Sequence, residues 1–437
     1  MKNSEVKKGS QLTLGMLVAL VAGNMIGAGV FLLPSELARI GNISFLALLV
    51  TAIGALSLTW VFTRLSMIVP RSGGPYVYVK EGLGEFLGFQ TAYGYWVAAW
   101  VGNAAVVVAA IGYLEPFFPG LNQSILARCL ISVSIIWALS YINLRGMSCS
   151  GRFQMITMIL RLIPLLLVAA MGYRYFNPQH FTTNFNCSGH SDAQAMATAT
   201  LLTMWIFLGL ESATVPAESV DNPRRNIPLA SMIGTLIAVV VYFISCGALF
   251  GMVPLEELAQ SSAPFVLAGQ RLLGDWGRWL VALGAIIASL GGLNGWILVA
   301  AQIPQAASKE GFFPRCFLQK NAIDNTPRNG IIISSSLMTI LVLISNCWDT
   351  VTQFNAIITL ATVFTVLSYF YTVIAGIIML GRSYWKQHIG HLLCFVIALV
   401  YSGYAVMGAG LEVSSLVLMA ILISVLGYMF YSLNKLV

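Results

Sequence analysis

The sequence predicts an all-α membrane protein of twelve transmembrane helices. The expected arrangement is a five-plus-five inverted repeat with discontinuous helices one and six, followed by two extra helices. Three observations carry this reading. Only 9% of the 437 residues are charged, where a soluble domain carries about 25%. Apolar stretches of about 18 or more residues, enough to cross a bilayer, recur along the chain. Two of these stretches, five spans apart, are interrupted by glycine and polar residues near their middles. Broken helices in corresponding positions of two halves point to a transporter with a midplane site.

Taken in order, the spans are read at 12–33, 43–68, 84–112, 124–143, 153–174, 194–214, 228–252, 278–306, 330–346, 353–379, 389–409 and 411–433. This divides the chain into an N-terminal segment 1–11, a first repeat 12–180, a second repeat 181–380, and a last helix pair with the C-terminus at 381–437. With the N-terminus inside, 17 of the 23 Lys and Arg fall on inner connections and span ends, five fall outside, and one, Arg161, lies within a span. That bias places both termini in the cytoplasm. No cleavable leader is expected, because MKNSEVKKGS is not followed by a short apolar run with a small-residue cleavage site.

Composition narrows the function classes. The net charge of +7 resides in the connections and does not indicate nucleic acid. The seven cysteines are scattered without metal or redox spacing, so they read as packing residues, with no metal and no cofactor expected. Asn186-Cys187-Ser188 in the long outer connection reads as ordinary loop.

The first interruption is Gly23-Asn24-Met25-Ile26-Gly27-Ala28-Gly29. Three glycines in seven residues lower helix propensity where a span should be strongest. Lipid cannot satisfy bare peptide groups, so unwound backbone must face protein or a cavity. The freed amides at the start of the second half-helix suit a carboxylate. The competing reading is a glycine seam for helix packing. The second interruption, Phe207-Leu208-Gly209-Leu210-Glu211-Ser212, contains the one acid of sixteen that lies well inside an apolar segment. A charge at the bilayer centre costs about 2.5–3.5 kcal/mol on insertion scales. Glu211 is therefore read as a proton carrier, a counter-ion or a gate latch, against a plain role in closing the helix break.

Arg161 is a permanent cation in span five. It either fills the place where a sodium-coupled relative keeps Na⁺ or snorkels to an interface. Trp205 and Trp296 fall mid-span, where a ring face can meet a cation or simply pack. Asn103 in span three can bond a guanidinium or amine, or bridge two helices.

The segments GNMIGAGVFLLP, RSGGPYVYV (71–79), GFQTAYGYWVAAWVGN (88–103), WIFLGLESATVPAESVDNPRRNIPLA (205–230) and SLGGLNGW (289–296) with SKEGFFP resemble the basic amino acid/polyamine antiporters of the amino acid–polyamine–organocation superfamily. The likeness is greatest to the bacterial arginine/agmatine antiporters. It implies a homodimer in the bacterial inner membrane that exchanges a cationic amino acid for its decarboxylated amine, a transporter and not an enzyme. It implies that Asn24, Ile26 and the Gly27-Ala28-Gly29 backbone hold the substrate's α-amino and carboxylate groups. Trp296 would stack on the guanidinium, Asn103 and the Ala98 backbone would hydrogen-bond it, and Trp205 would cover it from outside. Glu211, Tyr95 and Tyr369 would form the inner closing layer, and Tyr76 matches a position implicated in pH response. Ala28, Ile206, Ala99 and Ala361 stand where the resemblance expects Ser, Ser, Cys and Ser. These losses of polar contact leave open an alternative: a proton-coupled or facilitated transporter of neutral amino acids. Arg161 resembles the Lys that replaces sodium in other members of the superfamily.

Overall fold

A computed structural model describes residues 12–118, 120–261, 263–320, 326–345, 350–408, 421–422, 424–429 and 431. The expected N-terminal segment 1–11, Cys347 and most of the twelfth span, 411–433, lie outside them. The described residues form helices and turns, and their one β-type contact is an isolated bridge from Leu12 to Val220. Ten helical segments among them are long and apolar enough to cross a membrane.

The first span is two helices, α1 (Leu14–Met25) and α2 (Gly29–Ile40), separated by Ile26–Ala28. Thr13 caps α1 by accepting from the Met16 N–H. The expected end at residue 33 falls short, because α2 continues through Pro34 to Ile40. Its last turns are held by Ser35 donating to the Ser261 carbonyl at 2.6 Å and Arg39 to the Ala259 carbonyl at 3.0 Å. Next come α3 (Ile43–Ile68), the short α4 (Pro75–Leu83) and α5 (Glu85–Gly112), then α6 (Ile125–Leu144) and α7 (Met147–Gly172). The fifth span thus starts six residues before its expected position, at Met147, directly after the Gly146 turn. In the long connection that follows, a four-residue helix, α8 (Gln179–Thr182), is followed by α9 (Asp192–Phe207).

α9 is the first half of the sixth span. It begins under a Ser191 cap with Asp192 in its first turn and stops at Phe207. The chain then runs through Gly209, at φ 110°, to two 3-10 turns at Ser212–Thr214 and Ala217–Ser219. α10 (Pro223–Met252) opens on a proline whose missing N–H costs nothing at a helix start. The connection after it carries two short helices, α11 (Leu255–Gln260) and α12 (Pro264–Leu273), before α13 (Asp275–Lys309). α12 is amphipathic, and its buried Phe265 packs edge-on against Phe31 of α2 at 5.6 Å. α14 (Arg328–Ser345), α15 (Thr350–Gln387) and α16 (Ile389–Met407) complete the described helices.

Lipid tails compete equally for apolar faces, so helices in a membrane associate through close packing at small residues. A Cβ on Gly234 would stand 2.7 Å from Val21, and one on Gly54 would stand 2.2 Å from the Tyr401 ring. α10 and α16 meet α1 and α3 at these points. At the basic end of the bundle, Lys80 and Arg71 pair with Glu310, Arg71 also with Glu81, and Lys309 with Glu218. This clasp fastens α4 to the end of α13.

Candidate functional site

The two helix breaks face each other and are wired to the helices around them. At the first break the carbonyls of Gly23 and Ile26 have lost their helical partners. Arg161, on α7 and with no exposed surface, donates to both, at 2.6 and 2.8 Å. Its Nε donates to the Thr157 carbonyl at 3.0 Å and its Nη2 to the Thr157 hydroxyl at 3.1 Å. No carboxylate among the described residues pairs with it. The guanidinium points into the bundle, against the open carbonyls and away from any exposed surface. Gly291 on α13 makes room for it, since a Cβ there would stand 1.9 Å from Nη2.

Asn24 ties the breaks together. Its amide nitrogen donates to the Ser212 hydroxyl at 2.8 Å, and its oxygen accepts from Gln154 at 3.4 Å. The Trp296 indole donates to the Asn24 carbonyl at 3.3 Å. Behind it, Asn294 donates to Ser150 and Gln154, and Asn143 donates to Asn294. Tyr242 of α10 reaches both breaks: its hydroxyl lies 2.6 Å from the Met25 carbonyl and 2.8 Å from the Ile206 carbonyl. Sequence reasoning missed Tyr242 and Gln154. The available signal was polar side chains inside apolar spans, but a single tyrosine or glutamine there carries no direction.

Between the breaks lies a small cavity of about 50 Å³. Its lining includes Asn24, Gly27, Ala28, Gly29, Ala98, Asn103, Trp205, Trp296 and Ala361. Of the expected substrate-binding residues, Ile26 alone stands behind the wall, where its carbonyl is occupied by Arg161. The positions that lost polar groups, Ala28, Ala99, Ile206 and Ala361, all line it, together with the unanticipated Thr365 and Gly292. Gly29 is needed for the closure: a Cβ there would stand 2.4 Å from the Trp205 ring. Asn103 is 2% exposed, and its amide nitrogen has no partner among the described residues. It is a buried donor on the wall of the cavity, and no bond from it to another helix is present among the described residues.

Glu211 is fully buried under the second break. Tyr95 donates to one of its oxygens and Tyr369 to the other, and the Gly209 N–H donates to the latter at 3.2 Å. Glu211, Tyr95 and Tyr369, expected to lie together, are thus joined in one hydrogen-bonded group. Gly209 joins it to the cavity, since a Cβ there would stand 3.4 Å from the Trp296 ring. Tyr76 lies apart, on α4, packed edge-on against Phe312 at 6.3 Å. Burial raises its phenol well above the ordinary value, with Glu310 adding to the effect.

Residues 12–432 match the amino acid permease family. The chain belongs to that family. The permease is a membrane transporter, not an enzyme. It is 33% identical over 395 residues to the cadaverine/lysine antiporter of Escherichia coli K12, covering 89% of this chain and 88% of the relative. It is 31% identical over 430 residues to the putrescine transporter PotE of the same organism, covering 98% and 96%. The PotE protein of Haemophilus influenzae is 32% identical over 406 residues, 92% and 93% of the two chains. These relatives place the permease among the basic amino acid/polyamine antiporters, as the resemblance implied.

Proposed function

We propose that this permease exchanges a basic amino acid for its decarboxylated amine across a bacterial inner membrane, by alternating access at the cavity between the two helix breaks. One observation carries the reading: the cavity brings bare backbone at Gly27–Gly29 together with the rings of Trp205 and Trp296 and the unpartnered amide of Asn103. The backbone amides suit a carboxylate. An indole face offers a desolvated cation about 2 kcal/mol without a second buried charge.

Within that class we favour the lysine–cadaverine type of pair over arginine–agmatine. A guanidinium presents five donors in a rigid fork, whereas an ammonium presents three on a compact head. Alanine at 99 and 361 offers a guanidinium fewer side-chain acceptors, which suits the smaller head. The names of the relatives support the same choice. The neutral-substrate alternative draws on the same alanines and on the lack of any acid lining the cavity. Arg161 in the place of Na⁺ supports sodium-independent exchange in either case. We read 12–180 and 181–380 as the paired repeats, both termini as cytoplasmic, and the working unit as a homodimer.

The discriminating experiment is a thermal-shift panel on the purified protein, because a ligand selective for the folded form raises apparent stability by mass action. Lysine, ornithine and their diamines should stabilise most, arginine and agmatine less. Stabilisation by leucine or serine alone would overturn the cationic assignment.

A further inference from the structure

α15 does not run straight into α16. It breaks at Gly381, whose φ of 71° L side chains rarely adopt. The chain turns back at His388 to start α16. The bend opens a groove of about 540 Å³ on the outside of this helix pair. Its walls include Ile377, Ile378, Trp385 and Leu392, and Arg382 and Lys386 stand in its lining. Trp385 is fixed: its indole donates to the Ile377 carbonyl at 3.0 Å and its ring meets Phe395 edge-on at 5.0 Å. The groove is vacant of protein where the chain turns, since a Cβ on Gly381 or Gly390 would have no atom within 4 Å.

The two cations decide what this groove takes. Arg382 and Lys386 are four apart on one helix and share a face. Neither pairs with an acid among the described residues. The neighbouring Arg64 is already engaged, with the His391 ring at 3.0 Å and the Trp60 ring at 4.7 Å. An exposed aliphatic wall, with Ile378 55% exposed, fits an acyl chain. Two unpaired cations at the basic end of the bundle, where a leaflet's headgroups lie, fit a phosphate. We propose that this groove is a binding site for one anionic phospholipid, its phosphodiester between Arg382 and Lys386 and one acyl chain along Ile378 and Leu392. The site is separate from the transport cavity, and the proposal does not depend on the identity of the transported substrate.

The test is native mass spectrometry of the full-length protein in mild detergent, with added phosphatidylglycerol, phosphatidylethanolamine or inorganic phosphate. Wild type should retain one phosphatidylglycerol and shed phosphatidylethanolamine and phosphate. The double variant Arg382→Ala/Lys386→Ala should lose retention about tenfold or more. Arg224→Ala/Arg225→Ala, which removes another exposed pair, should keep it. Leu392→Trp fills the groove with both cations in place and should also lose the lipid, so the site stays testable if the charge variant does not fold. Equal retention of the two lipids, no retention by wild type, or retention unchanged in Leu392→Trp would overturn the site.

Discussion

The Arg161 guanidinium lies 2.6 Å from the Gly23 carbonyl, so a fixed positive charge from α7 closes the open end of α1. A buried charge this well held is costly to unmake, because its removal leaves two carbonyls with no donor. Arg161→Met should lower the unfolding free energy by about 2–4 kcal/mol and abolish exchange. Arg161→Lys, which keeps the charge but not the fork, should retain part of both. Replacing Na⁺ with choline should leave wild-type exchange unchanged. Thermal unfolding and proteoliposome uptake check these outcomes, and a sodium requirement in wild type would contradict them.

Tyr242 has a hydroxyl shared by the Met25 and Ile206 carbonyls, and its ring packs edge-on against Phe207 at 5.1 Å. Tyr242→Phe preserves the ring contact and removes only the link between the breaks. An unsatisfied buried carbonyl costs about 1–3 kcal/mol. Exchange should fall roughly tenfold, and substrate-induced thermal stabilisation should shrink while the protein still purifies as folded. Full activity in this variant would show that the breaks hold their spacing without it.

Glycines on α13 set how near the first break can approach. A Cβ on Gly295 would stand 2.0 Å from the Asn24 side-chain oxygen, while one on Gly112, at the end of α5, meets nothing within 4 Å. Gly295→Ala should disable exchange and destabilise the fold, and Gly112→Ala should do neither. Expression, thermal unfolding and uptake of the two variants, measured side by side, decide the matter.

Tyr76 tests the pH response implied for its position. Burial holds its phenol above the ordinary value near 10. A group whose folded value is raised contributes its stability below the unfolded value and loses it only as pH climbs through the folded one. Tyr76 therefore stays neutral wherever histidines and carboxylates titrate. Tyr76→Phe should leave the midpoint of the pH–rate profile in place. A shift of about one pH unit would show that the phenol hydroxyl matters to the titrating group.

The first break was legible because glycine acts locally: three in seven residues weaken a helix whatever surrounds them. Glu211 and Arg161 were legible as outliers, since an ionisable group in an apolar span stands out against its neighbours. What each outlier touches was not legible. Arg161 and Gly23 are 138 positions apart, and only the fold brings α7 against α1. Tyr242 and Gln154 look ordinary in sequence, and their role comes from the carbonyls and amides they meet. α11 and α12 were missed because six- and ten-residue helices are too short for a periodic signal to separate from loop.

The central proposed step is exchange of one cationic amino acid for its amine through the cavity between the breaks. Uptake of labelled lysine into proteoliposomes, preloaded with cadaverine or left empty, tests this most directly. The prediction is rapid uptake into preloaded vesicles, little into empty ones, and loss of the difference in Trp296→Ala. Equal uptake into empty and loaded vesicles, or undiminished exchange in Trp296→Ala, would contradict it.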